Sequence, residues 1–231
     1  MVLMEASLRR ASAFSAWPHS MMARLLLASH VAHHHPSEEI SNELEQTPRT
    51  FLIASGQVMV SRVTELGEQS PFLLLGADSL AGVTQIFAKK NRVVYAFGAH
   101  TEVVAIHFPT LLLIELLDSF PMHWRSMTLM LVGQHGTYAQ SLRSQTAGSL
   151  QQQVALTVSR LAQLYGVAIS GGASVRVRIS QAELAMLLHA TRQAVNRQLK
   201  KIAASGAISL EYQGLVVVDP KMLRDIGSAR S

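Results

Sequence analysis

The chain has 231 residues, of which 48% are hydrophobic and 15% charged, a balance that can build sizeable cores and excludes a disordered or fibrous protein. It contains no cysteine, so disulfides, cysteine-ligated zinc, iron–sulfur clusters and thiol catalysis are all excluded. The net charge of +5 is local, because residues 151–231 carry ten Lys/Arg against four Asp/Glu, whereas residues 1–150 carry ten against eleven. A positive field confined to one part of a chain is typical of a domain that binds a polyanion such as duplex DNA.

The N-terminal region is predicted to form short helices. Residues 1–35 contain an apolar face formed by Met21, Met22, Leu25, Leu26 and Leu27, and the polar run Ser37–Arg49 follows. The region lacks the continuous apolar core of a signal peptide, and no stretch approaches the ~20 apolar residues of a spanning helix. We therefore expect a soluble cytoplasmic protein that has no membrane partner.

A compact antiparallel β domain is predicted from Thr50 to about Ile106. Short runs of Val, Ile, Leu and Phe alternate there with glycines, which is the pattern of strands joined by tight turns. In one predicted strand the side chains alternate between two faces, with Val58, Val60 and Arg62 on one face and Met59, Ser61 and Val63 on the other.

Two helices are predicted next, because Pro109 and Pro121 each stand where a proline suits the first turn of a helix. In the longer one an apolar stripe follows helical spacing, and its members are Trp124, Met127, Leu131, Tyr138 and Leu142. Gly133 and Gly136 would permit a second helix to approach closely. The stripe fits a dimerisation helix and a helix packed on its own β domain equally well.

The C-terminal third begins with a predicted helix over Ser149–Tyr165 that ends at Gly166. A predicted strand, Val175–Ile179, buries its apolar residues and presents Arg176 and Arg178 on its other face. The sequence Ser180-Gln181-Ala182-Glu183 then matches a capping box, so a helix should start there and run to about His189.

A second short helix should begin after Thr191, which is a suitable N-cap. Its apolar positions Val195, Leu199 and Ile202 fall within a narrow arc, while the opposite arc is polar and cationic and comprises Arg192, Gln193, Asn196, Arg197 and Lys200. Because no carboxylate lies between residues 191 and 202, these side chains suit base edges and phosphates, and free amides at the helix start also favour phosphate. Gly206 ends the helix, and two β runs, Ile208–Tyr212 and Leu215–Val218, joined at Gln213-Gly214, predict a wing.

The segment Ser180–Ile208 resembles the helix-turn-helix of the Crp/Fnr regulator family. The resemblance implies that Arg192, Gln193, Asn196 and Arg197 contact bases and backbone, with Lys200, Ser180, Gln181 and Thr191 as further DNA-binding candidates. His189 stands where the family usually has a glycine in the turn, which implies a modest backbone cost. Gln193 stands where many members have glutamate, so a glutamate contact to cytosine cannot be assumed.

The resemblance extends more weakly over the rest of the chain, through Leu8–Phe14, Phe51–Val60 and the residues from Pro121 onward. It implies an α+β protein with a cyclic-nucleotide-binding-like, jelly-roll-like antiparallel β-roll sensor domain (1–120), a long dimerisation helix (121–147) and a winged helix-turn-helix domain (148–231). The implied function is sequence-specific regulation of transcription by a homodimer on a partly palindromic operator. The implied partners are double-stranded DNA and a second copy, with RNA polymerase as a further candidate.

The phosphate cassette of cyclic-nucleotide-binding members is altered. Val83 follows Gly82 where the family has glutamate, and Val93 follows Arg92 where it has a hydroxyl residue, so we predict that cyclic AMP does not bind. His33-His34-His35, with His30, His100 and His107, raise a metal or haem hypothesis, but consecutive histidines cannot all face one ion, and ordinary histidines are the favoured interpretation. No cofactor is predicted.

Nothing in the sequence has the spacing of an enzyme site, so an enzyme is not expected. Two alternatives to the preferred function stay open. One is a small-molecule- or haem-sensing regulator with an unidentified effector in the β-roll. The other is a protein-interaction scaffold that no longer reads DNA.

Overall fold

The computed structural model describes residues 2–42, 49–83, 94–146, 148–169 and 174–229. The chain divides into two compact units, residues 1–137 and 138–231. Within the described residues no helix is long and apolar enough to cross a membrane.

The N-terminal unit opens with two short helices, α1 (Val2–Arg10) and α2 (His19–Leu27). Its strands follow, and they are β1 (His30–His34), β2 (Glu39–Asn42), β3 (Arg49–Ser55), β4 (Val58–Val63), β5 (Gln69–Leu75), β6 (Leu80–Ala81), β7 (Val94–Ala99) and β8 (Val103–Pro109). In the described residues these strands form two antiparallel sheets, in the orders β1-β8-β3-β6 and β2-β7-β4-β5. The predicted antiparallel β domain is therefore confirmed.

Side chains of β3 join the two sheets to the helices. Phe51 meets Phe97 of the other sheet edge to face, with ring centroids 5.4 Å apart. The next residue, Leu52, points to the opposite side of its strand and is buried in the apolar core that α1 and α2 also enter. Phe14 on the helical side contacts Phe108 of β8. One sheet thus has the second sheet against one face and helices against the other.

Two details of this unit differ from the sequence prediction. His30–His34 was predicted as part of a helical region, but it is a strand whose residues pair with β8, from His30 opposite His107 to His34 opposite Val103. The simple alternation predicted for β4 is also wrong, because Ser61 and Val63 are buried together with Val58 and Val60. A register shift between Val60 and Ser61 in the β4–β5 pairing accompanies this pattern.

The helices after the β-roll begin where the prolines predict. They are α3 (Thr110–Ser119), a 3-10 turn (Pro121–His123) and α4 (Trp124–Thr146). On α4, Met127 and Met130 are buried in the N-terminal core, and Trp124 and Leu131 pack against it. Most of the predicted stripe therefore packs within its own unit, whereas Leu142 is 55% exposed.

The C-terminal unit is a helical domain with a small sheet. Its elements are α5 (Leu150–Tyr165), β9 (Val167–Ala168), β10 (Val175–Val177), α6 (Gln181–Leu187), α7 (Arg192–Ala204), β11 (Ile208–Glu211), β12 (Gly214–Val217) and α8 (Pro220–Ser228). The strands form an antiparallel sheet in the order β11-β12-β10-β9. The α+β fold with a C-terminal winged helix-turn-helix is thereby confirmed.

Candidate nucleic-acid interface

The first helix of the helix-turn-helix, α6, starts at the predicted capping box. The Ser180 hydroxyl accepts a hydrogen bond from the Glu183 amide at 3.2 Å, and the Glu183 carboxylate accepts one from the Ser180 amide at 2.7 Å. The inner face of the helix is buried, and its members are Leu184, Ala185, Leu187 and Leu188. The capping box fixes the start of α6 at the predicted residue.

The turn after α6 is left-handed at His189, whose φ is +49°. The His189 amide donates to the Met186 carbonyl at 3.2 Å, and the Ala190 amide donates to the Ala185 carbonyl at 2.9 Å. This pair of bonds is a Schellman motif, which ends a helix at a residue that is usually glycine. The helix therefore ends at Leu187, before the predicted limit of about His189, and His189 occupies the strained position that the resemblance implied.

The second helix, α7, has a fixed start and a fully buried inner arc. The Thr191 hydroxyl accepts a hydrogen bond from the Ala194 amide at 3.2 Å, which confirms the predicted N-cap. Val195, Leu199 and Ile202 are each at most 1% exposed. Because this arc is locked in the domain core, the remaining face of α7 has a defined direction.

The predicted DNA-contacting residues differ in exposure. Five are exposed, namely Thr191, Arg192, Gln193, Arg197 and Lys200, and three are half-buried, namely Ser180, Gln181 and Asn196. The Asn196 Oδ1 atom is shielded from solvent and lacks a hydrogen-bond partner among the described residues. Asn196 thus lies at the border between the buried arc and the cationic arc.

A groove of about 420 Å³ brings three of these residues together with the wing. Ser180, Gln181 and Arg192 line it, opposite Tyr212 and Gln213 at the turn between β11 and β12. The other five predicted residues do not line the groove. Tyr212, which is 92% exposed, was not predicted from the sequence, although its position between two β runs marks it as the tip of a wing.

The wing is held by an ion pair that the sequence did not reveal. The Arg176 guanidinium donates from two nitrogens to the two Glu211 carboxylate oxygens, at 2.8 and 3.1 Å. This bond lowers the pKa of the Glu211 carboxyl and raises that of Arg176. The predicted strand face with two outward cations is confirmed, since Arg176 and Arg178 are both exposed while Val177 and Ile179 are buried. The ion pair adds that Glu211 engages the charge of Arg176. The hairpin turn differs from the prediction, since Tyr212 and Gln213 form it and Gly214 begins β12.

Four histidines of the N-terminal unit lie on β1 and β8, and they are His30, His33, His34 and His107. The His34 ring is buried, and its Nδ1 lies 3.0 Å from Glu38 Oε1. His30 stacks on His107 with ring centroids 5.2 Å apart. Within the ranges that the structure describes, no group of three or more His, Asp or Glu side chains has an arrangement that could hold a metal ion.

The altered phosphate cassette falls partly inside the described residues. Val83 is 7% exposed and belongs to the apolar core with Leu52 and Leu80. Arg92 and Val93 lie outside the described residues, as do residues 43–48 of the polar run.

A β-roll followed by a long helix and a winged helix-turn-helix defines a transcription regulator with a cyclic-nucleotide-binding-like domain. Residues 142–226 match the model of the Crp-like helix-turn-helix domain. A CRP-like cAMP-activated global transcriptional regulator of Mycobacterium tuberculosis is 26% identical over 181 residues, which cover 78% of this chain and 80% of the relative. Residues 142–226 thus match a Crp-like helix-turn-helix domain, and most of the chain is similar to a DNA-binding transcription regulator of the CRP type.

Two further comparisons give a similar curated relative and a solved structure of similar fold. The anaerobic regulatory protein of Bacillus subtilis is 24% identical over 176 residues, which cover 73% of this chain and 71% of that protein. The crystal structure of a CRP-family transcriptional regulator from Thermus thermophilus superposes with a TM-score of 0.71 at 18% identity, over 86% of this chain and 97% of that one. The relatives are transcription regulators rather than enzymes.

Proposed function

We propose that this chain regulates transcription as a homodimer that reads a partly palindromic operator through α7, and that cyclic AMP does not control it. The observation that carries the proposal is the division of α7 into a fully buried arc and an exposed cationic face. A helix fixed in this way can enter the major groove in one orientation. Two copies related by two-fold symmetry would then place their helices ~34 Å apart, one turn of the duplex.

The eight predicted DNA-binding residues divide into base readers and phosphate contacts. Arg192, Gln193, Asn196 and Arg197 have the side-chain chemistry for base edges, since arginine is bidentate to guanine and Asn or Gln to adenine. Asn196 would need to turn its amide outward, because its Oδ1 is shielded in the free protein. Lys200, Ser180, Gln181 and Thr191 suit the backbone, where they set position rather than sequence preference.

The proposal is tested by selecting bound sequences from random duplex DNA and measuring variants on the selected site. Arg192→Ala should lose about 1–3 kcal/mol and relax the preference at one base pair, whereas Lys200→Ala should weaken all sequences equally and lower the salt slope by about one. Arg62→Ala removes an exposed cation of β4, outside both the helix-turn-helix and the proposed dimerisation segment, and is the matched control.

Equal losses for Arg192→Ala and Lys200→Ala on selected and random DNA would contradict base reading by α7. Salt-independent and negligible retention on random duplex would instead support a scaffold that no longer reads DNA.

We propose that the second copy packs on the outer face of α4. This face lies in the proposed dimerisation segment, residues 121–147, which would separate the domains 1–120 and 148–231. Leu129 is 60% exposed and Val132 is 62% exposed, and they lie about one helical turn before Gly133 and Gly136 respectively. Among the described residues, a Cβ added at either glycine would meet nothing within 4 Å. An apolar helix face with small residues is what close helix pairing needs. This face differs from the stripe on which the sequence prediction was based.

Independence from cyclic AMP is supported by Val83. A glutamate that holds a ribose hydroxyl must reach the ligand, whereas Val83 is buried in the apolar core beside Leu80. Calorimetric titration with cyclic AMP should give no heat of binding, and micromolar affinity would contradict this part of the proposal.

RNA polymerase is the further partner that this chain would contact if it activates transcription.

A further inference from the structure

The C-terminal unit contains a second cavity, which shares no lining residue with the groove between α6, α7 and the wing. It has a volume of about 670 Å³ and is lined by residues from the end of α4, from α5 and from α8. This volume is in the range of pockets that take small molecules. Three of its lining residues are cations, namely Arg143, Arg160 and Arg224.

Arg160 is the unusual member of this cluster. It is 7% exposed, and none of its three guanidinium nitrogens has a hydrogen-bond partner in the described part of the chain. Its burial lowers the pKa of the guanidinium, although arginine stays protonated at neutral pH. A buried charge is unfavourable unless an opposite charge and hydrogen bonds compensate it. The free protein therefore holds a cation that an anion would stabilise.

The rest of the lining fits the same ligand chemistry. Gln140 and Gln163 offer amide donors and Ser159 offers a hydroxyl, and the described lining residues include no Asp or Glu. The planar fork of arginine matches phosphate oxygens with two parallel hydrogen bonds. We propose that this cavity binds a small phosphorylated molecule, with Arg160 as its buried anchor and Arg143 and Arg224 at its rim.

The site would join three helices of the C-terminal unit, because Arg143 lies on α4, Arg160 on α5 and Arg224 on α8. A ligand there would fix the last turns of α4 against the other two helices. The proposal does not depend on DNA binding, since no residue of α7 or the wing lines the cavity.

Titration calorimetry of the full chain with sodium pyrophosphate in phosphate-free buffer tests this site. We expect saturable binding that Arg160→Met weakens roughly tenfold or more, because a hydrogen-bonded charge pair is lost. Arg143→Gln should weaken it by a smaller factor and is the second variant if Arg160→Met does not fold. Arg192→Gln, on the recognition helix, and Lys221→Gln, on α8 outside the cavity, are matched controls that should leave pyrophosphate binding unchanged.

Thermal unfolding gives an independent readout. Pyrophosphate should raise the midpoint of the wild-type chain, and this rise should vanish in Arg160→Met. In phosphate-free buffer Arg160→Met should unfold at a higher temperature than wild type, because it replaces an unpaired buried charge by an apolar chain of similar length. The proposal is overturned if millimolar pyrophosphate gives no heat, if Arg160→Met keeps wild-type affinity, if Arg192→Gln abolishes binding, or if citrate binds and pyrophosphate does not.

Discussion

Replacing the two glycines of α4 by alanine should change two properties in opposite directions: the stability of the single chain and its association with a second copy. Gly133 and Gly136 lie in the helix interior, where glycine is about 0.8–1.0 kcal/mol less favourable than alanine. Within one chain the new methyl groups meet no atom of the described residues within 4 Å. The free energy of unfolding of the monomer should therefore rise by about 2 kcal/mol in Gly133→Ala/Gly136→Ala.

The opposite effect is expected on the dimer. If the outer face of α4 packs on a second copy, the methyl groups enter a close helix–helix contact. Overpacking of this kind costs about 1–3 kcal/mol, which corresponds to a rise of roughly 5- to 150-fold in the dimer dissociation constant. A more stable chain that associates less tightly is the expected result.

Sedimentation velocity over a range of concentrations measures association, and urea unfolding measures stability. Val132→Lys, on the same face, should also dissociate the dimer but without the gain in monomer stability. Leu111→Lys alters an equally exposed apolar residue of α3, at 69% exposure, and should leave association unchanged. The proposed role of this face is refuted if Val132→Lys and Gly133→Ala/Gly136→Ala both sediment like the wild type although Gly133→Ala/Gly136→Ala is more stable.

Three further predictions concern the helix-turn-helix unit. His189→Gly should raise the free energy of unfolding by about 0.5–1 kcal/mol, because glycine adopts a positive φ without strain. His189→Val should lower the free energy of unfolding by a larger amount, because a β-branched residue is strained there. The reverse order of the two variants in urea unfolding would be incompatible with a left-handed turn. Ser180→Ala and Thr191→Ala should each cost about 1 kcal/mol of stability through loss of an N-cap, measured in the same way. Arg176 lowers the pKa of Glu211 in the folded chain, so the pair stabilises the fold above the usual carboxyl pKa of 4.5, and this contribution is lost as the pH falls through the lowered pKa. Glu211→Gln should therefore have a lower thermal midpoint than wild type at pH 7, and the difference should shrink as the pH is lowered below 4.5.

The parts of the fold that depend on neighbouring residues could be predicted from the sequence. The capping box at Ser180 and Glu183 spans three residues, and the inner arc of α7 repeats within one helix. Such patterns record interactions between residues close in the chain. The recognition helix and its exposed face were therefore predictable to within a residue or two.

Contacts between distant residues could not be predicted in this way. Arg176 and Glu211 are 35 positions apart, and their pairing depends on the strand register of the wing. The unpaired state of Arg160 is equally hidden, since an arginine in an amphipathic helix ordinarily reaches solvent. The outer face of α4 was missed because the same helix carries a second apolar stripe, which includes Met127 and packs within its own unit.

The pairing of β1 with β8 has a consequence for the order in which the chain folds. Because His30 lies opposite His107, the sheet that contains both cannot close until nearly the whole N-terminal unit has left the ribosome. Pairing of segments so distant in the chain is slow, since a long loop must be closed first. The helices of the C-terminal unit are started by caps within three residues and need no such wait. Although it is made after the β-roll, the helix-turn-helix unit should fold faster than the β-roll once each is complete.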